Sequence, residues 1–425
     1  MKGDFEWQVA DEMAPAPPYF DEEPEGALGR PGRGRWLVLL AAVVVLGAAV
    51  GWLYREARER TAAAREATVA EVLASHRLLL QATDARDREL ATNLLSGRDR
   101  AWAAQQRARV EGGTLLAEPG LGLIAAGEAA VVETLSPALD EAAVVMTQTV
   151  RLGDEAESGH LVRTWLYRRG EGGWLYAPPR EPADYWGRQE QLELVHLAVQ
   201  YPARDEALAA RLSQAMDEAL LRACATVTCR EDFEMVVVLA TQPTSLEMPS
   251  LERLVYEEGP LTLPAPSWIG VPVDEAGFEL LARAYTRPVL LAALGRELWG
   301  WQCCDHAPLF QALLDAQLAQ WGMQPWPLTR ADYEFLLARD FRLFEDTMAS
   351  WYGQAFSRQR DAAWLQAHAV VAFLLAQKPD ADLGELAARL NEAPNYWFWA
   401  LDFLDERVGD AELEARWEMF AQQAR

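Results

Sequence analysis

The sequence predicts a multidomain α+β protein with one transmembrane helix, an α+β cone domain and a mostly α-helical C-terminal domain that holds a small sheet. Three observations carry this prediction. At 425 residues the chain is too long for one ordinary hydrophobic core. An uncharged apolar run lies near the N-terminus, and β-like alternation extends from about residue 129 to 176 between segments with helical periodicity.

The first segment, residues 1–35, is a polar leader that we expect to be disordered. It carries eight acidic and four basic residues, and five prolines interrupt it. A segment with this composition contains too little apolar surface to form a core. We predict that it forms a short cytoplasmic tail.

The membrane segment runs from Trp36 to Tyr54 and reads WLVLLAAVVVLGAAVGWLY, 19 residues without a charge. At a rise of about 1.5 Å per residue, such a helix spans a hydrocarbon core of about 30 Å. Trp36, Trp52 and Tyr54 lie at its ends, where aromatic rings anchor a helix at the membrane interface. The alternative is a cleaved signal peptide, but its apolar region would be shorter and a 35-residue polar leader would be unusual.

The orientation is not decided by counting charges, because arginines flank both ends of the apolar run. We expect the N-terminus inside, since a short leader is easily retained, whereas a C-terminal region of roughly 370 residues crosses the membrane largely regardless of its charge. The sequence therefore predicts a single-pass protein of the cell membrane with a large extracytoplasmic region.

Composition excludes nucleic acid as a partner. The formal net charge is −25 at pH 7, and no run of basic residues offsets it locally, so the chain repels phosphate backbones. Lysine occurs only at Lys2 and Lys378, while Arg, Ala and Leu are frequent, which is typical of a GC-rich bacterial gene. The membrane is the partner that the sequence predicts directly.

Residues 55–187 are predicted to form a juxtamembrane helix followed by the α+β cone. Residues 55–98 have helical periodicity, and the clearest hairpin joins Leu161–Arg169 to Trp174–Tyr176 through a glycine-rich turn. A helix followed by strands that end in YRR, a turn, and GWLYAPP resembles the SnoaL-like domains of the nuclear transport factor 2-like fold, over about 65–187.

That resemblance implies a sheet wrapped around a helix, often with a pocket and sometimes with an Asp/His catalytic pair. His76 and Asp84 lie on the predicted first helix, but their offset of eight residues does not bring them together at a pocket. We expect solvated or capping roles for both side chains.

Residues 188–425 are predicted to be mostly helical. An amphipathic helix, Glu206 to Cys224, precedes the apolar strand Met235–Ala240, and a proline-rich loop follows from Pro260 to Pro272. This order resembles the gluzincin peptidases of the peptidase MA-like group over about 190–425. The matching residues open and close the domain: Tyr201, Pro202 and Asp205, then Gly409, Glu412, Leu413, Glu414 and Trp417.

The resemblance implies a zinc peptidase, yet the catalytic motif is missing. Two histidines four residues apart on a helix hold the zinc in such enzymes, and a glutamate between them activates water. The five histidines of this chain include no pair at that spacing. The nearest skeleton is Arg296-Glu297-Leu298-Trp299-Gly300, with Arg and Gly where the histidines would stand. The alternative stretch is Ala284–Pro288, which contains no zinc ligand. We predict an inactive peptidase-like fold without a cofactor; the alternative is an unrelated helical domain.

Four cysteines follow the membrane segment, and in an oxidising compartment they predict disulfides. We favour Cys224–Cys229, because a short local loop brings the two Cα atoms to bonding separation. A vicinal Cys303–Cys304 bridge or a longer cross-link remains open. A zinc site of Cys224, Cys229, Cys303 and His306 is a weaker alternative, since it lacks the usual C-x₂-C spacing.

The functional expectation is an extracytoplasmic binding or scaffolding protein without catalytic activity, whose ligand is a protein, peptide or glycan. The sequence has no nucleophile elbow G-x-S-x-G, no P-loop, and no G-x-G-x-x-G after a strand. The alternative is a hydrolase whose site gathers Glu297, Asp305 and His306 next to the second cysteine pair.

Overall fold

The computed structural model divides the chain into two compact units, Met1–Arg65 and Glu66–Arg425. The described residues are 33–118, 121–153, 156–227, 229–242, 251–256, 259–300, 306–339, 341–342, 361–393, 396–404 and 409–424. The leader, except for its last three residues, and the Cys303–Cys304–Asp305 segment therefore lie outside the described residues.

Helix α1, Arg33–Ala85, contains the apolar run. From Trp36 onward it is long and apolar enough to cross a membrane, and the side chains of Trp36, Trp52 and Tyr54 are exposed. A signal sequence near the N-terminus passes the same test of length and composition. Beyond Tyr54 the surface of the helix becomes charged, with i,i+4 ion pairs such as Arg55–Glu59.

A curled antiparallel sheet forms a half-barrel. Its strands are β1 (Leu123–Leu135), β2 (Glu141–Leu152), β3 (Gly159–Arg169) and β4 (Trp174–Tyr176), paired in that order. The predicted hairpin is confirmed, because β3 and β4 pair across the glycine-rich turn. Alternate residues of β3 are buried, so one face of the sheet lines an interior.

Three helical segments pack against the buried face of this sheet: the C-terminal part of α1, α2 (Arg88–Leu94) and α3 (Arg100–Glu111). Asp87 and Asp99 begin α2 and α3 as N-caps, each accepting a hydrogen bond from a backbone amide of the first turn. Val72, His76 and Leu79 of α1 are buried, and so are Trp102 and Val110 of α3. The half-barrel is thus closed by helices along the face that its strands bury.

After the short helix α4 (Pro182–Trp186), a second sheet contains β5 (Gln189–Glu193), β6 (Leu197–Pro202), β7 (Met235–Ala240) and β8 (Leu261–Pro264). β5 and β6 are antiparallel, whereas β6, β7 and β8 are parallel. Helices α5 (Glu206–Thr226) and α6 (Leu251–Tyr256) lie between successive parallel strands in the chain, as parallel pairing requires a crossover. The predicted strand Met235–Ala240 is confirmed, and so is the helix before it.

The proline-rich segment Pro260–Pro272 differs from the loop that we expected. It contains β8, the four-residue helix α7 (Pro266–Ile269) and the two-residue strand β9 (Val271–Pro272). Proline is tolerated here because Pro264 ends a strand and Pro266 begins a helix, where a missing amide is harmless. β9 pairs with Leu161 and Val162 of β3, so a strand from the predicted C-terminal domain extends the sheet of the predicted cone.

The described residues after β9 are mostly helical. Their elements are α8 (Glu275–Ala292), α9 (Ala307–Gln320), α10 (Arg330–Ala338), α11 (Ala362–Gln377), α12 (Leu383–Glu392), α13 (Tyr396–Leu404) and α14 (Asp410–Ala424). Trp399 and Trp417 are almost fully buried in this part, where Trp417 packs edge-on against Phe341 and Phe373. These tryptophans therefore fill the hydrophobic core.

Candidate ligand-binding site

Of the predicted hydrolase cluster, the structure describes Glu297 and His306. Glu297 lies in a π-helical turn, Ala293–Leu298, and its carboxylate faces Arg230 at 3.7 Å. His306 is half-buried at the N-cap of α9. Asp305 lies outside the described residues, and with it the cluster as a whole.

Arg296, which begins the Arg296–Gly300 stretch compared above with the zinc motif, has a structural role. Arg296 donates hydrogen bonds to three backbone carbonyls near α6: those of Arg253 at 3.1 Å, Leu254 at 2.6 Å and Gly259 at 3.0 Å. The guanidinium therefore hydrogen-bonds carbonyl groups at the end of a short helix, where no turn of the same helix follows to supply amide donors. A histidine could not reach all three.

The cysteines that the structure describes form a disulfide, Cys224–Cys229, with a Cα–Cα separation of 5.1 Å. It closes the connection between α5 and β7. The alternative zinc site needs both sulfurs as thiolates, and here they are bonded to each other. Within the described part of the chain, no group of three or more His, Cys, Asp or Glu side chains is arranged to hold a metal ion.

His76 corrects one expectation. It is buried rather than solvated, with Nδ1 2.8 Å from the hydroxyl oxygen of Tyr167, because the end of α1 packs into the half-barrel. Asp84, two turns further along, is exposed as expected. Burial, with a smaller contribution from Arg77, lowers the pKa of His76 to about 4, so the imidazole is neutral at pH 7.

Around His76 the half-barrel encloses a polar interior. The alternation of β3 directs Arg163, Trp165 and Tyr167 inward, and Gln148 of β2 lies on the same face opposite Leu161. From the other side, α3 contributes side chains at helical spacing, so that they share one face. These are Trp102, Gln105, Gln106 and Arg109.

Two guanidinium groups share one carboxylate in this interior. Arg109 Nη2 contacts Oε1 of Glu118 and also donates to the carbonyls of Thr114 and Ala117, each at 3.1 Å. Arg163 Nη1 donates to the carbonyl of Leu115 at 3.1 Å and lies 3.7 Å from the same Glu118 oxygen. All three charged side chains are more than nine-tenths buried.

Burial dominates the electrostatics of the cluster. It raises the pKa of Glu118, which the charges of Arg109 and Arg163 partly offset, and it lowers the pKa of Arg163. The pKa of Tyr176 is raised by burial against the opposing effect of the nearby arginines. An arginine stays protonated in proteins, so the interior carries a positive charge whether or not Glu118 is ionised.

Aromatic rings form the walls between these groups. The guanidinium carbon of Arg163 lies 4.6 Å from the Trp165 ring centroid, a cation–π arrangement. Trp165 contacts Tyr176 at 5.0 Å between centroids, and Trp102 meets Tyr176 edge-on at 4.9 Å. His76 lies edge-on to Trp165 at 5.4 Å.

Many polar atoms of the interior have no hydrogen-bond partner among the residues that the structure describes. They are His76 Nε2, Trp102 Nε1, both amide atoms of Gln105 and of Gln106, Arg109 Nη1, Gln148 Nε2, Arg163 Nη2, Trp165 Nε1 and Trp174 Nε1. Each buried polar group without a partner costs about 1–3 kcal/mol, so buried polar groups in stable folds are usually hydrogen-bonded. Ordered water or a bound molecule would satisfy these atoms.

Reasoning from the sequence missed this cluster, although a signal was present. Arg163 occupies an inward position between Leu161 and Trp165 on an alternating strand, and Gln106 and Arg109 follow Trp102 at helical spacing. The periodicity of a helix or strand identifies the positions that face the core, which are normally apolar. A polar residue at such a position indicates a buried polar group.

Comparisons with protein-family models, with curated protein sequences and with solved structures find no match to this chain. The geometry of the site itself therefore carries the functional conclusion.

Proposed function

We propose that the protein is a membrane-anchored extracytoplasmic binding protein without catalytic activity, and that the interior of the half-barrel is its ligand-binding site. The observation that carries this proposal is the set of buried polar atoms without partners, gathered around Arg109, Glu118 and Arg163. A polar, aromatic-walled interior recognises a molecule through fixed hydrogen-bonding groups.

Anchoring rests on α1, whose apolar side chains from Trp36 to Tyr54 are exposed where they are described and suit contact with lipid. The extracytoplasmic placement of the larger unit is supported by the Cys224–Cys229 disulfide, since such bonds persist in oxidising compartments. A single-pass topology with a short cytoplasmic leader accounts for both features.

The family resemblances belong to the same proposal. An antiparallel sheet curled around the end of α1 supports a SnoaL-like domain at about 65–187. Arg296, occupied with backbone carbonyls where a zinc ligand would stand, supports an inactive peptidase MA-like domain at about 190–425. A peptidase-like fold that lacks the zinc ligands is suited to binding a molecule, because it cannot hydrolyse a peptide through zinc.

The ligand that suits this interior is a small polar molecule. The groups that would contact it are almost completely buried, so a folded protein or a long glycan could not reach them. A small polar molecule is a narrower class of ligand than the protein, peptide or glycan that the sequence predicted.

The test is a thermal-unfolding screen of the full-length chain in detergent micelles against a small-molecule library of anions, amides, sugars and amines. We expect at least one class to raise the unfolding temperature with increasing concentration, because a ligand that binds only the folded state stabilises it. Gln106→Leu, which removes two partnerless amide atoms, should abolish the shift, whereas the exposed Gln191→Leu should preserve it.

If no class shifts the unfolding temperature, the interior is a water-filled core and the binding proposal fails.

Membrane topology is tested separately, by fusing alkaline phosphatase, which is active only in an oxidising compartment, to the C-terminus. We expect an active, membrane-bound fusion; an inactive fusion would reverse the orientation, and a secreted active one would replace the anchor with a signal peptide.

A further inference from the structure

The interior of the half-barrel has an imbalance of charge. Arg163 is affected by the charges of Arg109 and Glu118 and by a side-chain hydrogen bond with Tyr176, and Glu118 is affected by the charges of both arginines. Because the pKa of buried Tyr176 is raised, its hydroxyl is neutral at pH 7, and two positive charges face at most one negative charge. A buried charge without compensation is strongly unfavourable.

The partnerless hydrogen-bonding atoms also favour an anion, because most of them are donors. Of the partnerless atoms in the interior, eight are nitrogen donors and two are acceptor oxygens, on Gln105 and Gln106, while His76 Nε2 serves either role. The donors belong to three indoles, three amides and two guanidinium groups. A ligand that pairs with these donors must carry mainly acceptor oxygens.

Each of the two arginines has one terminal nitrogen near the same carboxylate oxygen and another without a partner. Both contact the same oxygen, Oε1 of Glu118, through one terminal nitrogen each. The other terminal nitrogen, Nη1 of Arg109 and Nη2 of Arg163, has no partner in the described part of the chain. A guanidinium pair with free N–H groups matches the paired oxygens of a carboxylate.

We propose that the half-barrel interior binds a small monocarboxylate anion, with its carboxylate on Arg109 and Arg163 and its carbon skeleton against the rings of Trp165 and Tyr176. One negative charge balances the surplus that remains when Glu118 is ionised. The inference rests on the proposed binding function and assigns the chemical class of the ligand.

The test uses two pairs of probes that differ only in charge: acetate with acetamide, and benzoate with benzamide. Binding to the full-length chain in detergent micelles is measured by thermal unfolding and calorimetry at constant ionic strength and constant chloride. We expect saturable binding of at least one carboxylate, with its amide weaker by roughly tenfold to a hundredfold, because hydrogen bonds to a charged group are the stronger ones.

Three variants test which residues cause the preference for carboxylate over amide. Arg163→Met keeps the side-chain volume, removes the surplus charge and should abolish the preference for carboxylate over amide. Glu118→Gln leaves two positive charges, and we expect it to tighten carboxylate binding. The matched control is Arg151→Met, an exposed arginine on β2, which should bind like the unaltered chain.

Because Arg163→Met could disturb folding, Glu118→Gln provides the independent check, since the inference predicts a gain of affinity. Equal binding of amide and carboxylate would overturn the assignment of ligand class while leaving the binding function intact. So would carboxylate binding that survives Arg163→Met unchanged. If no probe and no compound of the wider screen binds, both the inference and the proposed function fail.

Discussion

Gly159 lies so close to Gly277 that a Cβ atom added to Gly159 would stand 2.3 Å from the amide nitrogen of Gly277. Gly159 begins β3 of the half-barrel, and Gly277 lies in the first turn of α8. Asp274, the N-cap of α8, accepts hydrogen bonds from Gly277 N at 2.7 Å and from His160 Nδ1 at 2.7 Å. This contact, with β9 beside it, joins the half-barrel to the helical part of the chain.

Replacing Gly277 with alanine should destabilise this junction. Its Cβ would lie 2.4 Å from the carbonyl oxygen of His160, a backbone atom that cannot rotate away. We expect Gly277→Ala to lower the free energy of unfolding by about 2 kcal/mol, in the range of an overpacked site. Chemical denaturation followed by tryptophan fluorescence measures it. Gly172→Ala, with nothing within 4 Å of its added Cβ, is the matched control and should change stability little; equal effects would contradict the close contact.

Asp274 should make this junction sensitive to acid. The hydrogen bond from His160, with backbone amides of Gly277 and His160, lowers the pKa of Asp274 below its ordinary value of 3.8. A depressed pKa stabilises the folded state above pH 3.8, and this stabilisation is lost as pH falls through the folded-state value. At pH 7 the unfolding temperature of Asp274→Asn should therefore be lower than that of the unaltered chain. The difference between the two unfolding temperatures should shrink below pH 4. A difference that is constant with pH would rule out this role of the charge, and Asp99→Asn at the cap of α3 serves as the control.

His368 and Asp315 form a buried pair between α11 and α9. His368 Nε2 lies 3.0 Å from Asp315 Oδ2, and Nδ1 lies 2.8 Å from the carbonyl oxygen of Trp364, so both ring nitrogens face acceptors. Burial raises the pKa of Asp315, but hydrogen bonds and charges, chiefly from His368, outweigh it and the pKa is lowered overall. The carboxylate is therefore ionised at pH 7.

Breaking this pair from either side should cost about 3 kcal/mol of unfolding free energy, because it leaves a buried polar or charged partner alone. His368→Leu and Asp315→Leu together should cost less than the sum of the single changes, and a double-mutant cycle by chemical denaturation measures the difference. Additive effects would show that the two side chains act independently. Arg330→Ala, which removes an exposed ion pair with Glu334, should change stability by less than about 1 kcal/mol.

The disulfide Cys224–Cys229 closes a short loop, at a sequence separation of 5. Cross-linking so few residues restricts the unfolded chain only modestly, so Cys224→Ser with Cys229→Ser should cost roughly 2 kcal/mol. Unfolding with and without reductant checks this value in the unaltered chain, and the double variant should lose the effect of reductant on this loop. Zinc bound in stoichiometric amount to the chain as purified, with Cys224 and Cys229 as free thiols, and lost in the double variant, would instead favour the metal site.

Several features could be predicted because they depend on neighbouring residues. The hairpin from Leu161 to Tyr176 follows from alternation on both sides of a glycine-rich turn, and the helix that contains Glu206 follows from its apolar face. The segment Pro260–Pro272 could not be predicted in the same way. Its strands form only because β7 and β3 offer edges from other parts of the chain, and proline obscures the short pattern.

The sequence by itself determined the apolar helix, the mixed fold class and the lack of paired histidines for zinc, because each depends on composition or on spacing along the chain. Only the tertiary structure decided that Arg109, Glu118 and Arg163 share one interior and that His76 is buried beside Tyr167. Glu118 follows Arg109 by nine positions, but Arg163 lies 45 positions after Glu118, and Tyr167 lies 91 positions after His76. Periodicity reports which face of an element is buried, whereas the closure of the half-barrel determines which faces meet.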